Sequence, residues 1–139
     1  MIERYEGYSI SNQDQLEHYE RLHEEILVFR ESVRDILNEM QPIKEQLIRN
    51  ITKIIKKAVP NSDVQVYGSH ATKLCLPWSD IDLVIVAAKN DLNSIHNPKS
   101  VLSQITRELQ SEISNGWVRQ VNFVENASVP VVKVSCQID

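Results

Sequence analysis

Glycine (3), proline (5), cysteine (2) and aromatic residues (6%) are all scarce among the 139 residues. So little glycine and proline excludes a collagen-like repeat and a low-complexity linker. The two cysteines, Cys75 and Cys136, have neither CxxC spacing nor clustered histidines around them. That excludes a disulfide-stapled mini-fold and argues against a zinc site or a redox centre. No apolar run approaches the roughly 20 residues that cross a bilayer. The opening MIERYEGYSI also lacks the basic-then-apolar order of a signal peptide. These absences predict an intracellular protein without membrane attachment. What is present agrees with that: 42% hydrophobic and 24% charged residues suffice for one domain with a real core.

The formal net charge of −4 hides an uneven distribution. Residues 1–40 carry four basic and ten acidic side chains, whereas residues 41–139 carry eleven and nine. Within the second part, Lys44, Arg49, Lys53, Lys56 and Lys57 share one stretch opposed only by Glu45. Such a cluster fits a phosphate-attracting patch, and it equally fits the solvated face of a surface helix.

Leu16, Tyr19, Leu22, Ile26, Phe29, Val33, Ile36 and Met40 recur every three or four residues, which predicts an amphipathic helix. Ser11 and Asp14 resemble a capping box at its start. Pro42 predicts a kink or a new helix, along which Ile43, Leu47, Ile51, Ile54 and Ala58 continue the stripe. The stripe fits a coiled-coil seam or packing on the chain's own domain. After the turn cluster at residues 60–63 come a short strand (Val64, Val66, Tyr67), a short helix over residues 69–74, and the apolar run Ile81, Leu83, Val84, Ile85, Val86, typical of a buried central strand. Asn97 and Pro98 suit the N-cap and first position of a helix that stops near Asn115 and Gly116. Two strands follow, one from Trp117 to Val124 and one from Val129 to Val134. The domain reading is a helical segment over residues 1–58 followed by an α/β unit over 59–139, packed as one.

Residues 66–86, VYGSHATKLCLPWSDIDLVIV, carry the chemistry. Gly68 and Ser69 follow one strand, and Asp80 and Asp82 are expected inside the next. Alternation along a strand puts Asp80 and Asp82 on one face and Ile81 and Leu83 on the other. Two carboxylates ~4 Å apart at an effective dielectric near 20 repel by roughly 4 kcal/mol, which favours proton sharing or a bound divalent cation. Oxygen donors suit Mg²⁺ or Mn²⁺. A Gly-Ser turn opening a helix offers backbone N–H groups and a hydroxyl to phosphate oxygens. Phosphoryl or nucleotidyl transfer follows from that pairing.

Gly-Ser, ten residues, then Asp-x-Asp resembles the signature of the DNA polymerase β-like nucleotidyltransferase superfamily. The run GSHATKLCLPWSDIDLVIV looks like the GS-x-x-T-x-L-x-L-P-x-SDID motif of non-standard poly(A) polymerases and terminal uridylyltransferases. ASVPVVKV resembles that group's A-x-VP-hh-K strand, and ITKIIKKAVPNSDVQVYGS its lead-in helix and strand. The likeness covers about residues 22–134. It implies an α/β (α+β) palm with a mixed β-sheet flanked by helices and preceded by long N-terminal helices. It further implies Asp80 and Asp82 as Mg²⁺ (or Mn²⁺) ligands, Gly68 and Ser69 as contacts to the triphosphate of ATP or UTP, an RNA 3′ end as acceptor, and a nuclear or cytoplasmic setting. Lys133 matches the family's strand lysine, as a positioning or structural residue.

Members of that group also use a third aspartate on a later strand and continue into a helical domain; neither is visible in this sequence. Asp139 stands too close to Lys133 to be assigned that role. The chain is therefore read as a palm cut short, weak in activity alone. Two other readings stay open: a minimal nucleotidyltransferase with a non-RNA acceptor, and an inactive palm whose N-terminal helices bind a protein partner. His18 and His23, five apart, suit solvation. His70, following Ser69, fits a variable loop position or else a phosphate contact, Trp78 an exposed or sheet-covering ring or else base stacking, and Cys75 burial.

Overall fold

The computed structural model describes residues 12–87 and 97–137. Its elements are α1 (Asn12–Ala58), β1 (Ser62–Tyr67), α2 (Gly68–Thr72), β2 (Asp82–Ala87), α3 (Pro98–Ser111), a 3-10 turn (Glu112–Asn115), β3 (Val118–Val124) and β4 (Val131–Cys136). The suggested cap at Ser11 and the loop before Asn97 lie outside the described residues, as does Asp139.

Helix α1 continues through Pro42, so the two helices expected from the sequence are one. Proline in a helix interior costs about 3 kcal/mol against alanine. Around it, Gln41 Nε2 donates to Glu45 Oε1 at 2.8 Å and Gln46 Nε2 to Asn50 Oδ1 at 2.8 Å, each one turn on, bracing the surrounding turns.

The chain divides into two compact units, Met1–Glu39 and Met40–Asp139. In the first, α1 leaves Leu16, Tyr19, Leu22, Ile26, Phe29 and Ile36 exposed. Arg21 pairs with Glu25 at 3.0 Å, and Glu31 pairs with both Arg30 and Arg34. Hydrogen bonding from Arg30 leads the causes that hold the Glu31 carboxyl below its ordinary range. Exposed pairs of this sort contribute little to stability.

The second unit holds the core. Ile54 and Ile55 of α1 pack with Ile105 and Leu109 of α3, all under 5% exposed. Around them lie Val64 of β1, Ile85 of β2, Val121 of β3, and Val132 and Val134 of β4, so every strand places an apolar side chain on the same cluster. The boundary between the units thus falls within α1, before the residues that build this core.

The α/β class expected from the sequence holds; among the described residues the strands form two antiparallel pairs, β1 with β2 and β3 with β4, in place of the mixed sheet expected. β2 is also not a fully buried central strand: Val84 and Val86 on its outer face are 41% and 42% exposed. Only its other face, through Ile85, meets the core. A continuous apolar run does not by itself separate a strand buried on both faces from one buried on a single face.

The start of α3 matches the sequence reading. Asn97 Oδ1 accepts from the N–H groups of Lys99 at 3.0 Å and Ser100 at 3.4 Å, and Pro98 occupies the first turn. Its far end passes through the 3-10 turn to Gly116, whose φ of 86° is left-handed. Glu112 closes that turn by accepting from Asn115 Nδ2 and Trp117 Nε1, each at 2.8 Å, and these bonds hold its carboxyl below the ordinary value.

Because Leu109 is 2% exposed at the centre of this cluster, Leu109→Ala is expected to lower unfolding stability by about 2–5 kcal/mol. Leu74→Ala, at a side chain 81% exposed, is expected to stay within about 0.5 kcal/mol. Urea denaturation followed by circular dichroism measures both.

Candidate active site

The antiparallel register puts Tyr67, the last residue of β1, opposite Asp82, the first of β2. Directly opposed residues project to the same face, so Asp82 stands on the outer face with Tyr67, Val84 and Val86. Leu83 and Ile85 take the inner face with Val66 and Val64. The expected alternation therefore holds from Asp82 onward.

Gly68 follows Tyr67 at once, with φ of 68°, and opens α2. A Cβ built on it would lie 2.5 Å from Asp82 Oδ2 and 3.3 Å from Asp82 Cγ. The Asp82 carboxylate thus lies against the backbone of the Gly-Ser turn, at a distance only a residue without a side chain permits. No side chain caps α2 at Tyr67, so its first N–H groups have no side-chain acceptor there. At the other end, Thr72 Oγ1 donates to the carbonyls of Gly68 and Ser69, both at 3.2 Å, and Lys73 closes the turn in a left-handed conformation.

Asp80 departs from expectation. β2 begins at Asp82, so Asp80 and Ile81 belong to the approach loop and the ladder does not orient them. Asp80 is exposed and Asp82 half-buried. The loop before Asp80 is organised by Ser79, whose N–H donates to Leu76 O at 2.9 Å and whose Oγ accepts from the Leu76 N–H at 2.9 Å. Strand alternation therefore does not account for how the two acids stand relative to each other; a tight turn delivers one and a strand the other.

Among the described residues, no group of three or more His, Cys, Asp or Glu side chains is placed to hold a metal ion. The donor set expected from the sequence, the Asp80 and Asp82 carboxylates, is all oxygen. That fits Mg²⁺, which typically takes one or two protein carboxylates and completes its shell with water and substrate phosphates.

Lys133 lies exposed on β4, opposite Asn122 of β3, and thus on the strand pair that lacks Asp82. Of the basic stretch, Arg49 lies 3.6 Å from Glu45 and Lys57 lies 3.9 Å from Glu108. Trp78 is exposed and Cys75 is buried. Burial also pushes the Cys136 thiol up, away from reactivity. His70 is not a loose loop residue: it is half-buried and contacts both Lys44 and Ser79. Sequence reading missed this because Lys44 is 26 positions away and no local pattern marks the pairing.

Comparison with known proteins bears on this geometry. The family described as poly(A) RNA polymerase, mitochondrial-like, central palm domain matches residues 16–139. The chain belongs to that family. This palm is 32% identical over 91 residues to Poly(A) RNA polymerase protein 2 of Saccharomyces cerevisiae, covering 66% of the chain and 14% of that protein. It is 33% identical over 115 residues to Trf4-2 of Drosophila melanogaster, which is named as an inactive poly(A) RNA polymerase, covering 81% of the chain and 25% of that protein. Among solved structures it resembles one of the GLD-2/RNP-8 complex, with a TM-score of 0.60, 25% identity, and coverage of 78% of the chain and 42% of that one. The palm spans a quarter or less of the length of these curated relatives.

Gly68 and Gly116 share left-handed φ angles, 68° and 86°, but only Gly68 faces a neighbour, since nothing lies within 4 Å of a Cβ at Gly116. Gly116→Ala is expected to cost about 1–2 kcal/mol, the strain alone. Gly68→Ala is expected to cost more and to displace Asp82. Parallel denaturation curves measure the difference, and equal costs would show that the Asp82 contact carries no weight.

Proposed function

We propose that this palm transfers a nucleoside monophosphate from ATP or UTP to the 3′-hydroxyl of an RNA. The observation that carries the reading is the contact of the Asp82 carboxylate with the Gly68 backbone, because it joins a cation-binding acid to a phosphate-binding turn. Membership of a poly(A) RNA polymerase palm family supports the same direction.

In this reading the N–H groups at the start of α2 and the Ser69 hydroxyl hold the triphosphate. Asp80 and Asp82 hold Mg²⁺ or Mn²⁺ through their carboxylate oxygens. Of two cations bound there, one would lower the pKa of the attacking 3′-hydroxyl and the other would neutralise charge on the departing pyrophosphate. The protein's part is to fix donor directions before substrate arrives. β2 and Gly68 do so for Asp82, while Asp80 follows directly on the turn closed by Ser79. An intracellular setting, nucleus or cytoplasm, belongs to the same proposal. Among the described residues no helix is long and apolar enough to cross a membrane.

A second reading, an inactive palm that binds a protein partner through α1, draws on the Drosophila relative's name and on the exposed apolar residues of that helix. A non-RNA acceptor has no comparable support among these relatives.

Binding of ATP and UTP to the purified chain with Mn²⁺, measured by calorimetry, tests the nucleotide half. Weak binding is expected, reduced at least ~10-fold by Asp82→Asn or Asp80→Asn. A polypeptide joining this palm to the remaining domains of a relative is expected to lengthen labelled RNA with ATP or UTP and to lose more than ~100-fold in rate with Asp82→Ala. Absence of nucleotide binding together with absence of extension with all four ribonucleotides would favour the inactive palm.

A further inference from the structure

We propose that His70 is a positioning residue that ties α2 to the backbone immediately before Asp80 and so sets where that carboxylate stands. The inference rests on reading Asp80 and Asp82 as cation ligands.

His70 Nε2 lies 3.3 Å from the carbonyl oxygen of Ser79, and His70 Nδ1 lies 3.4 Å from Lys44 Nζ. A carbonyl can only accept, so Nε2 carries the proton; an ammonium can only donate, so Nδ1 offers its lone pair. One neutral tautomer satisfies both contacts at once. The ring and Lys44 are each half-buried, which shields the arrangement from competing water.

The need for such a tie follows from the strand boundary. The β1–β2 ladder orients Asp82 but begins there, leaving Asp80 two residues outside it. Ser79 is bonded back to Leu76 through its N–H and its hydroxyl, which closes the turn upon itself without linking it to the phosphate-binding element. The imidazole supplies that link: it stands on α2, directly after Ser69, and grips the carbonyl one residue before Asp80. Lys44 of α1 holds the ring from the other side. The Gly-Ser turn and the loop-borne acid are thereby joined through the His70 side chain.

Titration of the full 139-residue chain with Mn²⁺, read by electron paramagnetic resonance of the free ion, tests this, with melting temperature followed in parallel. His70→Leu fills the space without a donor and is expected to weaken Mn²⁺ affinity about 3- to 10-fold, the range for loss of one hydrogen bond. His70→Gln places an amide N–H near the position of Nε2 and is expected to restore most of that affinity. A purely structural role for the ring would lower the melting temperature of both variants and leave Mn²⁺ affinity unchanged in whatever fraction folds. Affinity of His70→Leu equal to the parent overturns the proposal, as does a His70→Gln variant that folds but binds as weakly as His70→Leu. If the parent chain itself binds no Mn²⁺, the cation-ligand reading of Asp80 and Asp82 falls and this inference with it, an outcome distinct from a parent that binds and variants that do not differ.

Discussion

The hydrogen atom on Gly68 is the constraint from which the site follows. Any other residue would put a carbon 2.5 Å from Asp82 Oδ2, and would have to do so at a φ of 68° that L side chains disfavour. Glycine answers both demands together, which is why the end of β1, the start of α2 and the start of β2 can converge. An acid and a helix-opening turn at the ends of two paired strands would ordinarily be kept apart by side-chain volume; here backbone and carboxylate meet directly.

That convergence depends in turn on register. Val64 and Ile85 oppose each other and reach the core shared by α1 and α3, which fixes the face each strand presents. A slip of one residue would turn Asp82 toward the core and carry Ile85 outward. Turning an unpartnered carboxylate toward the apolar face is costly, so the packing of Val64 and Ile85 on the core favours the register that leaves Asp82 on the outer face. Packing and chemistry are coupled by the two-residue period of the strand alone.

How much of this the sequence disclosed depended on how local the cause was. The Asn97–Pro98 cap, the stop at Gly116 and the strand bearing Val64 and Val66 were legible because each is written within a few residues. The nearness of Gly68 to Asp82 was legible only as an expectation from motif spacing; its steric form needed the register. Pro42 misled because bracing by its helical neighbours and packing farther along α1 outweigh a local penalty. Asp80 misled for a different reason. Two acids separated by one residue imply a shared strand face only if the strand includes both, and strand ends are set by pairing partners elsewhere in the chain. His70 with Lys44 lies at the far end of this scale, since a contact across 26 positions has no signature in composition or period.

The unequal anchoring of the two acids has a physical sense. Mg²⁺ demands near-octahedral geometry at short distances and tolerates little error in its ligands, yet it must also accept substrate oxygens as they enter and leave. If Asp80 and Asp82 hold the cation as proposed, the Asp82 carboxylate, locked between a strand and a glycine, would provide the fixed reference. On the proposed reading, the Asp80 carboxylate, on an exposed loop whose hydrogen bonds run through Ser79 and not through a ladder, would be able to shift by the small amount that a changing coordination shell requires. Were both acids on the ladder, the shell would be rigid on two sides; were both in the loop, nothing would relate them to the turn at Gly68. On that reading one anchored and one tethered acid would satisfy both requirements, because β2 starts at the second aspartate of the pair and not at the first.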